Sequence, residues 1–141
     1  MVCREVVAMY RALLALVLIA SPLAASAQSV MDGSSKRIGE DQQAKLFGAL
    51  RSSLNDPFSA QVIELEMGKD GRVCGKLNAK NGYGGFTGFR VFAFDPSNGQ
   101  LTQLSDLNNF DVSRPDARQK LDEAAANLSF ITTSCPHLKK S

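Results

Sequence analysis

The residue types of a thiol protease occur in this 141-residue chain: a cysteine at Cys74, an asparagine at Asn78 and the single histidine, His137. In such enzymes the thiolate is the nucleophile, so the cysteine must be free. Cys74 is expected instead to form a disulfide with Cys135. We therefore predict no catalytic residue in this set. With one histidine and so few cysteines, we also predict no metal site and no cofactor.

Two glutamates, Glu64 and Glu66, offer a different chemistry. On a regular strand, side chains two residues apart lie on one face, about 6–7 Å from each other. That distance approaches the carboxylate spacing of inverting glycosidases. Alternating acids on a strand more often form its solvated face. A glycoside hydrolase that uses Glu64 and Glu66 is therefore kept only as the least favoured alternative.

A glycine-rich stretch at residues 82–88 (GYGGFTG) could be taken for a phosphate-binding loop. Its glycine spacing differs from the dinucleotide and P-loop motifs. A strand is expected to follow it, whereas those motifs open a helix whose N-terminus holds the phosphate. The favoured interpretation is a tight hairpin in which aromatic side chains pack over the bare glycines.

The same stretch is the predicted binding surface, because it combines amide, ammonium and aromatic groups, and tyrosine is a common contact residue. The expected partner is a protein or glycan of the cell envelope. In the alternative interpretation, the asparagines hydrogen-bond to the backbone of the turn. The candidate binding residues are Asn78, Lys80, Asn81, Tyr83 and Phe86.

Residues 1–27 have the pattern of a secretory signal peptide: arginines, an apolar run at residues 12–20 and an Ala-Ser-Ala cleavage site. The apolar run is about half as long as a membrane span, so no span is expected after cleavage, although a retained anchor is the alternative. Cleavage leaves 14 basic and 13 acidic residues, a net charge of +1. This balance predicts no affinity for nucleic acid. The expected location is the periplasm or outside the cell.

Two cysteines remain after the predicted cleavage, Cys74 and Cys135. In an exported protein the default is one disulfide between them. Closing a loop of this length would stabilise the fold by about 4 kcal/mol in the chain-entropy model.

The remaining chain predicts a single α+β domain at residues 38–141, preceded by a disordered lead-in at residues 28–37. The expected architecture is an N-terminal helix, a three- to four-stranded antiparallel sheet and a C-terminal helix. Ser113 is the expected N-cap of the second helix, with Ala117, Leu121, Ala124, Ala125 and Leu128 facing inward. The predicted helices are residues 38–54 and about 113–128; the predicted strands are 60–67, 72–79, 86–94 and 100–104.

Strict alternation along the second strand places Cys74 on the face opposite Val73 and Leu77. Either Gly75 forms a bulge or helices cover both faces of the sheet. The third strand is apolar on both faces, so it is expected at the centre of the sheet.

Two segments resemble a known family. Residues 56–60 read D-P-F-S-A, and residues 73–92 read V-C-G-x-x-N-A-K-N-x-x-G-G-x-x-G-F-x-x-F. Together they are similar to small exported bacterial proteins of uncharacterised function, over residues 45–94. Phe86 stands where that family usually has tyrosine. The resemblance implies an exported small domain but does not indicate an activity. We predict a non-enzymatic binding or accessory protein; the alternative is a periplasmic inhibitor or immunity protein against a cell-wall enzyme.

Overall fold

The computed structural model describes residues 29–105 and 110–140, so the predicted signal peptide at residues 1–27 lies outside the described residues. Two helices and five strands form the domain. They are β1 (Ser29–Val30), α1 (Glu40–Ser53), β2 (Gln61–Met67), β3 (Val73–Asn78), β4 (Arg90–Asp95), β5 (Gln100–Gln103) and α2 (Ala117–Ser134).

The five strands form one sheet in the order β1-β2-β3-β4-β5. β1 is parallel to β2, and the other neighbours are antiparallel. The expected α+β class, with two helices and one disulfide, is confirmed, and β4 lies inside the sheet as predicted. The sheet itself differs from the prediction, because it is mixed and has one strand more than expected.

The additional strand comes from the segment that was expected to be disordered. Ser29 and Val30 pair with Gln61 and Val62, and the N–H of Met31 donates to the carbonyl of Val62 at 3.0 Å. The ordering of residues 29–37 corrects the sequence-based expectation. Specific polar contacts with β2 hold the segment in place. Such contacts need no hydrophobic periodicity, so the sequence pattern gave no sign of them.

Those polar contacts provide hydrogen-bond partners at a bulge in β2. The pairing register of β2 with β3 shifts between Ile63 and Glu66, and Glu64 has a positive φ of 54°. The N–H of Glu64 donates to Asp32 Oδ2 at 2.7 Å, and the N–H of Leu65 donates to Ser34 Oγ at 2.8 Å. A bulge leaves backbone groups without ladder partners, and the two side chains supply those partners.

The bulge also changes which side chains of β2 enter the core. Strict alternation predicted Ile63, Leu65 and Met67 on one face. In the structure, Val62 and Leu65 are fully buried in the same cluster, although they are three residues apart. The extra residue at Glu64 accounts for the change, because it moves all following side chains to the opposite face.

Helices cover both faces of the sheet, which resolves the position of Cys74. The α1 face holds the main core, while Cys74 packs on the α2 face with Ala93 and Ile131. Gly75 is not in the bulge; a Cβ there would lie 3.0 Å from side-chain atoms of Leu65 and Phe92. The main core consists of Ile38, Leu46, Leu50, Ala60, Val62, Leu65, Val73, Leu77, Ala79, Phe92 and Phe94.

Helix α2 begins later and ends later than predicted. Ala117 and Ala124 are buried as predicted, and the other three residues expected to face inward are exposed. Ser113 is not its N-cap, because Asp111 accepts hydrogen bonds from the Ser113 N–H and hydroxyl in a separate turn. The helix begins at Ala117 and extends to Ser134. Leu121, Ala125 and Leu128 are exposed, whereas the buried positions are Ala117, Ala124, Ile131 and Ser134. The prediction stopped before Ile131, the residue that sets the inward face.

The predicted disulfide joins Cys74 of β3 to Cys135, the residue after α2, with a Cα–Cα distance of 5.8 Å. Both cysteines are buried. Gly68 lies against the bond, since a Cβ there would be 2.6 Å from Cys74 Sγ and 2.5 Å from the Ser134 carbonyl oxygen. Among the described residues, no helix has the length and apolarity of a membrane span.

Candidate binding surface at the 79–89 loop

The glycine-rich loop at residues 79–89 connects β3 to β4. Lys80 and Phe86 form an isolated antiparallel bridge at its base. Near that bridge, the N–H of Thr87 donates to the carbonyl of Ala79 at 3.0 Å. β4 therefore begins only at Arg90, and the first part of the predicted third strand belongs to this loop.

The tip of the loop is held by Asn81. Its backbone N–H donates to the carbonyl of Gly85 at 2.8 Å, and its side-chain Oδ1 accepts from the N–H groups of Tyr83 and Gly85 at 3.0 and 3.1 Å. The alternative interpretation of the asparagines, that they satisfy turn backbone, therefore holds for Asn81. The tip is a turn with its own hydrogen bonds.

Two glycines allow backbone conformations of the loop that other residues rarely adopt. Gly84 and Gly88 have φ angles of 83° and 81°, in a region that side chains with a Cβ rarely adopt. A Cβ at either position would meet no atom within 4 Å. The interpretation that aromatic rings pack over bare glycines is therefore wrong, and Tyr83 is instead 100% exposed.

An aromatic ring lies beside an ion pair at the base of the loop. Lys80 Nζ lies 2.9 Å from Asp56 Oδ2 and 5.6 Å from the centroid of the Phe86 ring. Phe86 is half-exposed, and Phe58, two residues after Asp56, is exposed. We call Phe58, Tyr83, Phe86 and this ion pair the aromatic surface. It contains the three most exposed aromatic rings among the described residues.

The electrostatics of the aromatic surface favour an ionised carboxylate. The hydrogen bond from Lys80 lowers the pKa of Asp56, and the Ser59 side chain and N–H add to the effect against a small opposing contribution from desolvation. Asp56 also caps the short 3-10 turn at Pro57–Ser59, since its Oδ1 accepts from the N–H of Ser59 at 3.3 Å. The same carboxylate thus orders the segment that carries Phe58.

Asn78 lies apart from the other candidate binding residues. It ends β3, is 9% exposed, and its Nδ2 donates to Gln61 Oε1 at 3.1 Å. Its Oδ1 is buried and has no hydrogen-bond partner in the described part of the chain. Lys80, Asn81, Tyr83 and Phe86 come together in the loop, whereas Asn78 belongs to the sheet face that α2 partly covers.

The two glutamates have separate basic partners. Glu64 Oε2 lies 2.8 Å from Lys76 Nζ, and Glu66 Oε2 lies 3.7 Å from His137 Nε2. The bulge also breaks the regular alternation on which their predicted spacing depended. His137 faces Glu66, and Cys74 is bonded to Cys135, so the residues of the thiol-protease pattern do not assemble. No group of three or more ligating side chains that could hold a metal occurs among the described residues.

Arg72 is a structural centre that the sequence did not reveal. Its Nε lies 3.2 Å from Asp95 Oδ2, its Nη1 3.3 Å from Asp70 Oδ2, and its Cζ 4.9 Å from the centroid of the Phe130 ring. The Ser97 hydroxyl and N–H lower the pKa of Asp95, and Arg72 contributes further. Arg72 thereby connects the β2–β3 hairpin with β4 and α2. No local pattern indicates the contacts with Asp95 and Phe130, because these two residues are distant from Arg72 in sequence.

A second feature missed from the sequence is a cavity of about 210 Å³ beside α2, which we call the α2 cavity. Its lining joins residues of the sheet to residues of α2 and the segment after it, which are distant in sequence. The lining residues are Val91, Leu104, Leu128, Ile131, Thr132, Cys135 and Leu138.

Comparisons of the chain with protein-family models, curated proteins and solved structures returned no match.

Proposed function

We propose that this chain is an exported, non-enzymatic binding protein of the cell envelope and that the 79–89 loop is its contact surface. The predicted signal peptide and the disulfide support the location. The observation that carries the binding role is the full exposure of Tyr83 at the tip of an internally hydrogen-bonded loop.

An exposed tyrosine on an ordered loop is well suited to recognition. Tyrosine is enriched among the residues that dominate binding energy, because it supplies a large apolar ring and a hydroxyl. An ordered loop loses less conformational freedom on binding than a flexible one. Gly84 and the Asn81 hydrogen bonds fix the backbone on both sides of Tyr83, so part of the ordering cost is met before the partner arrives.

The shape of the tip favours a protein partner with a concave surface. A ring that is 100% exposed has no neighbours with which to form a flat platform. Protruding loops of binding proteins insert into concave sites, and clefts are also where enzymes bind their substrates. This shape supports a partner such as a cell-wall enzyme, with the chain acting as its inhibitor or immunity protein.

A glycan partner is the second candidate, and a different observation favours it. The Phe86 ring lies 5.6 Å from Lys80 of the Asp56–Lys80 ion pair, and the exposed Phe58 follows Asp56 by two residues. Aromatic faces next to hydrogen-bonding groups suit a sugar ring, which has apolar faces and polar edges. This candidate predicts that the base of the aromatic surface matters more than its tip.

The two partners are distinguished by one set of variants. Wild type, Tyr83→Ala, Phe86→Ala and the control Leu121→Ala on α2 would be cross-linked in envelope extract and also sedimented with purified peptidoglycan. Stoichiometric recovery of one protein that is lost in Tyr83→Ala supports the protein partner. Sedimentation that is lost in Phe86→Ala supports the glycan. If all four proteins behaved alike in both assays, the 79–89 loop would not be the contact surface.

A further inference from the structure

We propose that the α2 cavity is a second binding site, separate from the 79–89 loop. Its ligand is a small uncharged molecule with an aliphatic or monocyclic group of about six to eight carbon atoms. The size of this group follows from the cavity volume, since an apolar cavity of about 150 Å³ holds benzene and this one measures about 210 Å³.

The walls of the cavity belong to ordered elements. Val91 and Leu104 are joined by a hydrogen bond from the Leu104 N–H to the Val91 carbonyl at 2.9 Å. Ile131 and Leu128 are contributed by α2, and Cys135 is fixed by the disulfide. A site built on strands, a helix and a covalent bond keeps its shape without the ligand, which favours binding.

The cavity is reachable from solvent. Leu128, one of its lining residues, is 47% exposed, although leucine side chains normally gain stability by burial. An apolar ligand would cover Leu128 and remove this apolar surface from water.

The chemistry of the lining selects against charge. None of the seven lining residues is ionisable at neutral pH, and six are apolar. The one polar side chain, Thr132, already donates to the carbonyl of Ser129 at 3.1 Å. A carboxylate or ammonium placed among these residues would lose its hydration without gaining a partner. The ligand is therefore uncharged.

A charged residue, Lys76, is paired directly with Val91 across the sheet. Lys76 does not give the site a preference for anionic ligands. Its ammonium lies 2.8 Å from the Glu64 carboxylate, so the pair is neutral overall. A charged headgroup would have to separate this ion pair before it gained a partner. This arrangement agrees with the uncharged lining of the cavity.

The test uses the protein that begins after the predicted cleavage site and three probes: 1-hexanol, hexanoate and hexylamine. Binding is followed by NMR of the methyl groups of Val91, Leu104, Leu128, Ile131 and Leu138. We expect saturable shifts with 1-hexanol and affinities about tenfold or more lower for the two charged probes. Tyr83→Ala should leave 1-hexanol binding unchanged.

Cavity-filling variants provide the decisive control. Val91→Phe or Leu104→Phe should abolish 1-hexanol binding. Leu121→Phe, which lies outside the lining, should not affect it. Of the two filled variants, the one that retains cooperative thermal unfolding is used. The proposal is wrong if 1-hexanol causes no saturable shift, if a folded filled variant binds it as well as wild type does, or if hexanoate binds equally tightly. Loss of partner binding in Tyr83→Ala with intact 1-hexanol binding separates this site from the proposed loop function.

Discussion

The hydroxyl oxygen of Ser34 accepts a hydrogen bond from the N–H of Leu65 at 2.8 Å, across 31 positions of the chain. Both residues are buried. Together with the bond from Glu64 N–H to Asp32, it completes the backbone pairing that the β2 bulge leaves open. The position of Leu65 in the main core therefore depends on a short polar segment outside the helices.

Replacing Ser34 by alanine should destabilise the protein by about 1–3 kcal/mol, because the buried N–H of Leu65 would lose its partner. Ser35→Ala, one residue later, is the matched control and should change the free energy of unfolding by less than about 0.5 kcal/mol. Urea unfolding followed by circular dichroism measures both. Equal stability of the two variants would contradict the role of the Ser34 hydroxyl.

Asp32 should make stability depend on pH in the acid range. Partial burial raises the pKa of Asp32, but hydrogen bonds from the Ser34 hydroxyl and the N–H groups of Glu64 and Ser34 outweigh it, so the pKa is lowered from 3.8. A folded-state pKa below the unfolded value means that the stabilisation is present above about pH 3.8 and is lost as the pH falls through the folded-state pKa.

This dependence can be measured by urea unfolding of wild type and Asp32→Asn between pH 2 and pH 7. We expect the variant to be less stable at neutral pH and to lose less stability on acidification. Asp122→Asn, on the exposed part of α2, is the control and should follow the wild-type curve. A parallel loss of stability in wild type and Asp32→Asn would show that this carboxylate does not contribute.

Two glycine substitutions should have opposite effects on stability. Gly68→Ala places a Cβ 2.5 Å from the Ser134 carbonyl oxygen and 2.6 Å from Cys74 Sγ, so we expect a loss of about 1–3 kcal/mol from overpacking. Gly48→Ala, in α1, meets no atom within 4 Å and should stabilise by up to about 1 kcal/mol, because alanine is the better helix former. Thermal unfolding of the two variants gives the comparison.

Reduction of the disulfide should lower the free energy of unfolding by about 4 kcal/mol, since the bond closes a loop with a sequence separation of 61. Wild-type protein would be unfolded in urea with and without dithiothreitol. The Cys74→Ala, Cys135→Ala double variant is the control, because its stability should not respond to the reductant. A wild-type protein that unfolds at the same urea concentration in both conditions would contradict the expected contribution.

The sequence predicted elements whose determinants are local. Helix α1 follows from the spacing of Leu46, Phe47, Leu50 and Leu54, all of which contact the main core. The β2–β3 hairpin follows from alternation and from the turn residues between Gly68 and Gly71. The disulfide followed from the number of cysteines in a chain that was predicted to be exported. Each of these patterns is contained in a short segment or in the composition.

The features that the sequence did not predict depend on distant contacts. β1 is ordered by hydrogen bonds that Asp32 and Ser34 make with β2, about 30 residues away. The β2 bulge is invisible to a rule of strict alternation, and it reverses the facing of Leu65 relative to Ile63. The inward face of α2 was only partly predicted, because several alanines fit more than one helical stripe; Ala117 and Ala124 are buried as expected. The α2 cavity could not be foreseen, since its lining joins Val91 and Leu104 to residues of α2 that are distant in sequence.

The loop was only partly predictable for a related reason. Its glycines and Asn81 indicated a turn, and Asn81 does bond to the turn backbone. Sequence cannot say whether an aromatic residue beside glycines folds onto them or points away, because both arrangements satisfy the same local preferences. The exposure of Tyr83 comes from the absence of any packing surface near the tip among the described residues.

The exposure of Tyr83 gives the protein an intrinsic optical probe. The chain has no tryptophan and only two tyrosines, of which Tyr10 lies within the predicted signal peptide. In the mature protein, ultraviolet emission therefore comes chiefly from the one ring at the loop tip. Quenching by iodide would report access to that ring directly, and protection from the quencher would reveal occupancy of the tip without any attached dye.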